Sequence, residues 1–104
     1  MRTTTLIATL VLMPFLTAGV QAGGDAAAGQ TKAAPCAGCH GTDGNSPSPL
    51  NPNMAGQQEQ YRVTTMMDYK NGKRQHAVMQ AFLAPFNEQD IQDMAAFYAS
   101  QKCE

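Results

Sequence analysis

The chain has 104 residues, seven Lys+Arg against eight Asp+Glu, a formal net charge of −1, and no Trp. This near-neutral balance argues against a nucleic-acid partner, which calls for a clustered basic surface. The length is that of one small domain, a size that fills only a modest core and often relies on a metal or cofactor as a staple.

Arg2 precedes an apolar run over residues 6–16, and the small-residue stretch Val20-Gln21-Ala22 follows. This is the pattern of a secretory signal peptide, residues 1–22, cleaved after Ala22. The run is broken by Pro14 and Thr17 and falls short of the ~20 residues that span a bilayer, so no stable membrane insertion is expected after cleavage. The remaining domain, residues 23–104, carries six Lys+Arg and eight Asp+Glu, a net charge of −2. All three cysteines lie in it. In an oxidising compartment an odd count points to a use for two of them other than a simple pair.

Asp25 can cap a first helix over residues 26–34, whose composition favours helix except at Gly29. Gly29 is either a weak helix position or a place where another helix crosses closely. Pro35 ends that helix and bends the chain at Cys36. Residues 41–56, rich in Gly, Asn, Ser and Pro, have no helical or strand period and form a loop. Loops of that length in a compact domain are usually functional or wrapped around something.

A second helix is expected over residues 57–71, with Tyr61, Thr64 or Thr65, and Asp68 or Tyr69 at helical spacing. Val63, Met66 and Met67 form its apolar stripe, and Asn71-Gly72 stops it. Residues 73–86 are mixed, with a short helical turn expected around 80–83. The last helix opens on Asn87 with Asp90 three positions on, and Ile91, Met94, Ala95 and Tyr98 share one face, widened by Phe97. No segment has a strand's alternation, so the expected class is all-α, with three main helices and a long loop.

Cys36-Ala37-Gly38-Cys39-His40 carries the chemistry. Cys-x-x-Cys-His is the signature of c-type haem attachment: two thiols at this spacing reach one edge of the macrocycle, and the next residue brings an imidazole under the iron. Other readings are a redox Cys-x-x-Cys pair, which wants a βαβ context, a zinc site recruiting His76 or Cys103, and a local disulfide that leaves His40 unexplained.

Across residues 24–101 the chain resembles a class I cytochrome c of the small bacterial kind. The resemblance rests on Gly24-Asp25-Ala26-Ala27-Ala28-Gly29, on the stretch from Cys36 to Gly44, on Pro52-Asn53-Met54-Ala55-Gly56-Gln57, and on Tyr61, Gly72-Lys73-Arg74, Met79 and the closing helix. It implies one covalent haem c, with the fold wrapped around it. Its iron would be held by His40 and Met79, with His40 bonded to the Pro52 carbonyl, Arg74 on a propionate and Tyr61 near the haem edge. Met54, Met66, Met67 and Met94 are rivals for the sixth position, and His76 competes as a second imidazole that would lower the potential.

The resemblance further implies a periplasmic electron carrier cycling between Fe(II) and Fe(III) with redox protein partners, and no enzyme activity of its own. The stretch from Met66 to Arg74, then through Met79 to Asp90, is similar also to the cytochrome subunit of flavocytochrome c sulfide dehydrogenases, which would make a flavoprotein a permanent partner. A haem with an open sixth position that reduces peroxide or binds gases is the enzymatic alternative, and Met79 argues against it. Once Cys36 and Cys39 are alkylated, Cys103 is left as a lone thiol that either stays free or joins two copies through a disulfide.

Overall fold

The computed structural model describes residues 23–104; the leader expected over residues 1–22 lies outside them. The described residues form α1 (Ala26–Lys32), a 3-10 turn (Ala34–Cys36), α2 (Ala37–His40), α3 (Glu59–Lys70), α4 (Ala77–Leu83) and α5 (Glu88–Ala99), with no strand among them. The all-α expectation holds. None of these helices is long and apolar enough to cross a membrane.

Asp25 caps α1 as its sequence suggests, accepting from the backbone N–H groups of Ala27 and Ala28 at 2.9 and 3.2 Å. The helix stops at Lys32, two residues short of the expected end. Pro35 is the cause: it is accommodated in the 3-10 turn, where its missing N–H costs nothing. That turn leads directly into the four residues of α2, which end on His40.

Residues 41–58 run without regular structure to α3, two residues beyond the loop expected from composition. They fold back on α5 and the segment that follows it: Gly56 N–H donates to Tyr98 O at 2.9 Å, and Asn45 Nδ2 donates to Lys102 O at 2.9 Å. Gly44, at φ +85°, lets the loop turn against the Tyr98 ring, which a Cβ would approach to 2.8 Å.

Between residues 73 and 86 the structure corrects the sequence reading, since α4 begins at Ala77 rather than as a turn near residue 80. His76 supplies its N-cap, with Nδ1 accepting from Met79 N–H at 3.3 Å. The expected Asn87 cap of α5 is a full capping box, in which Asn87 and Asp90 each accept the other's backbone N–H.

α5 packs against both α1 and α3, and α4 against α3. The α1–α5 crossing is backbone on backbone: a Cβ on Gly29 would stand 1.9 Å from Asp93 O. Asp93, only 3 % exposed, locks this crossing by accepting from Asp25 N–H at 2.8 Å, Lys32 Nζ at 2.6 Å and Gln89 Nε2 at 2.9 Å. The core gathers Ala33, Met54, Met66, Leu83, Ile91, Met94, Ala95, Phe97 and Tyr98. Most of these residues come from α5, and the side of α3 and α4 away from it borders a cavity.

Candidate functional site: a cavity holding both motif cysteines and their histidine

A cavity of about 480 Å³ opens between the 3-10 turn and α2 on one hand and the 50–54 segment, α3 and α4 on the other. That volume lies in the range of about 300–1,000 Å³ typical of small-molecule and cofactor sites. Its walls hold every residue that the sequence reading assigned to the site: Cys36, Cys39, His40, Pro52, Tyr61, Arg74 and Met79.

His40 is buried at the end of α2, and its Nδ1 lies 2.9 Å from Pro52 O. A carbonyl can only accept, so Nδ1 carries the proton and Nε2 keeps its lone pair for a ligand. Cys36 and Cys39 are both unpaired thiols; Cys36 is half-buried and Cys39 is exposed. Burial raises the Cys36 thiol pKa, against a hydrogen bond with Tyr98 that lowers it. Tyr98, in turn, is held far above the ordinary phenol range, first by burial and then by Cys36.

Met79 lies on α4, partly buried against the core. Two rivals, Met54 and Met66, also line the cavity, but both sit in the core at 4 % exposure. Met67 and Met94 do not border it. His76 lies exposed at the cavity wall, where its ring meets Tyr69 edge-on at 6.1 Å and its Nδ1 is committed to capping α4. Cys103 is exposed and takes no part in the cavity. Among the described residues no three His, Cys, Asp or Glu side chains gather as a metal-binding group.

Tyr61 is half-exposed at the cavity wall. Arg74 lies over the Tyr69 ring at 5.6 Å, and its pKa is raised by the side chains of Tyr69 and, less strongly, Tyr61. The sequence reading missed Arg62. It belongs to the cavity-facing side of α3 with Tyr61, Thr65, Met66 and Tyr69, and its Nε is buried without a hydrogen-bond partner. A cation four residues before Met66 and seven before Tyr69, hence on their helix face, was the available signal.

A domain whose described residues form helices and no strand, and which brings a Cys-x-x-Cys-His motif to the wall of a largely apolar cavity, has the features of a c-type haem protein. Residues 26–102 match the cytochrome c family, and the chain belongs to it. Members of that family carry covalently bound haem c, and the donor set fits: two free thiols, an imidazole with an uncommitted Nε2, a thioether and an orphaned guanidinium N–H border one cavity.

Over 97 residues the chain is 50 % identical to cytochrome c4 of Pseudomonas aeruginosa, covering 93 % of this chain and 48 % of that one. A reduced recombinant cytochrome c4 from Pseudomonas stutzeri has the same fold, with a TM-score of 0.73 at 44 % identity over 76 % of this chain and 46 % of that chain. The cytochrome subunit of sulfide dehydrogenase from Chlorobaculum tepidum is 38 % identical over 65 residues, 62 % of this chain and 58 % of that one. The chain spans about half the length of the cytochromes c4 it matches.

Proposed function

We propose that the domain of residues 23–104 is an exported, periplasmic electron carrier, with haem c bonded to Cys36 and Cys39 and its iron held by His40 and Met79. The observation that carries this reading is the convergence of these four side chains on one cavity. Bound there, the haem supplies one-electron chemistry between Fe(II) and Fe(III). The protein's part is to hold and orient. The Pro52 carbonyl fixes the His40 ring and its tautomer, and thereby the basicity of Nε2. The Met79 thioether, holding the iron together with His40, would favour ferrous iron and a higher potential than a second imidazole would.

Arg74 is suited to hold a propionate through its guanidinium fork, and Tyr61 to border the haem edge. Leu50, Tyr61, Val78 and Phe82 are large exposed side chains on the cavity wall. They give a redox partner an apolar surface for brief encounters next to the haem. Residues 1–22 serve as the export signal in this reading.

A second reading, the electron-accepting subunit of an oxidoreductase, draws support from the named sulfide dehydrogenase subunit. A stable complex with a flavoprotein isolated from the native source would favour it; a monomer that exchanges electrons quickly with many acceptors would count against it.

Visible and near-infrared spectra of the purified protein in both oxidation states test the leading reading. A c-type reduced spectrum is expected, with a ferric Met-to-iron charge-transfer band that disappears in Met79→Ala. Persistence of that band would show that Met54 or Met66 is the ligand instead, and strong carbon monoxide binding by the reduced wild type would point to an open sixth position.

A further inference from the structure

Two guanidinium groups, Arg62 and Arg74, border the cavity, and none of its wall residues is Asp or Glu. The ion pairs among the described residues join Lys32 to Asp90 and Asp93 across the α1–α5 crossing, so neither cavity arginine has a carboxylate within 4 Å. Arg74 is exposed and rests on Tyr69, which leaves it adequately solvated. Arg62 has neither advantage. Its Nη2 reaches only the Met54 carbonyl, at a long 3.5 Å, and its Nε has no partner at all. Burial lowers its pKa against the raising influence of Tyr61 and Tyr98, and the charge of Arg74 adds in the lowering direction.

A half-buried cation without an anion is costly, because the lost hydration is not replaced. An aliphatic residue would fill this position on α3 without that cost, so the charge needs a counterpart that the protein itself does not supply. A haem brings two carboxylates into the same cavity. Resting on the haem reading above, we propose that Arg62 is a second guanidinium for the haem, donating its free Nε–H to a propionate and raising the reduction potential by placing positive charge beside the macrocycle. The direction follows from charge: reduction adds an electron, so a fixed neighbouring cation favours the ferrous state, and removing it leaves the paired propionate uncompensated.

The test compares the wild-type, Arg62→Leu and Arg62→Lys holoproteins, with covalent haem content measured first. The expected result is a lower midpoint potential in Arg62→Leu, with most of the shift restored in Arg62→Lys and the ligand-field bands unchanged in both. Wild type without covalent haem would overturn the underlying reading and this proposal with it. Wild type with haem, and an unchanged potential in Arg62→Leu, would overturn this proposal alone. If Arg62→Leu does not accumulate, the ferrous wild type decides by nuclear magnetic resonance. A slowly exchanging Arg62 Nε–H close to propionate methylene protons is expected; exchange at the solvent rate with no haem proximity would refute the assignment.

Discussion

His40 Nδ1 and the carbonyl oxygen of Pro52 stand 2.9 Å apart, so the imidazole is oriented by a backbone acceptor rather than by a side chain. Pro52→Ala therefore removes the ring but not the oxygen. The expected outcome is an unchanged haem spectrum with a stability loss of about 0.4–1 kcal/mol, from the greater freedom of the unfolded chain. Denaturant titration and absorption spectra of the variant check this. An altered ligand spectrum would show that the proline ring, and not only its carbonyl, positions His40.

The motif cysteines and histidine were legible because their chemistry is written in consecutive residues, as was the Asn87 capping box of α5. Pro35 announced the end of α1, although how the chain absorbs it in a 3-10 turn depends on how the next residues pack. Less visible was α4, because His76 is a weak capping signal and a helix of seven residues is too short to hold without its contact with α3. Arg62 escaped for a related reason. In sequence it is an ordinary charge on a helix, and only the placement of α3 beside the 50–54 segment turns it toward a cavity.

Emptying the cavity of its cofactor should unfold the chain. Met54, Met66 and Leu83 belong to the core and also line the cavity, so a haem seated there would be continuous with the core. A domain this small has little apolar surface in reserve. Circular dichroism of the haem-free Cys36→Ser, Cys39→Ser double variant should show most helix signal lost, whereas Cys103→Ser should retain both haem and helix. Native-like helix in the double variant would refute the idea that cofactor and core are one.

Gly29→Ala pits two effects against each other. Alanine is favoured over glycine in a helix by about 1 kcal/mol. Its methyl group would stand 1.9 Å from the backbone oxygen of Asp93, which cannot swing aside as a flexible side chain could. Overpacking of this kind costs about 1–3 kcal/mol, and moving α1 also strains the bonds that Asp93 makes to Asp25 and Lys32. A net loss of stability is expected in urea titration of the holoprotein; a stabilised variant would mean that the two helices part without penalty.

Asp93 also sets how the fold responds to acid. The Lys32 ammonium, then the Asp25 N–H and the Gln89 amide, hold its carboxyl down from the ordinary 3.8 to about 2. Because the folded pKa lies below the unfolded one, the folded state binds fewer protons in that window. The stabilisation is thus fully present above pH 4 and declines as pH falls toward 2. Asp90, lowered chiefly by the same lysine, adds in the same direction. Asp93→Asn keeps the size of the side chain but cannot titrate, so its stability should vary less than that of the wild type between pH 4 and 2. Asp93→Ala leaves the Asp25 N–H without its acceptor and should lose roughly 1–3 kcal/mol near neutrality. Urea titrations of the three holoproteins from pH 7 to 2 measure both effects, and parallel acid profiles for wild type and Asp93→Asn would place the acid-sensitive group elsewhere.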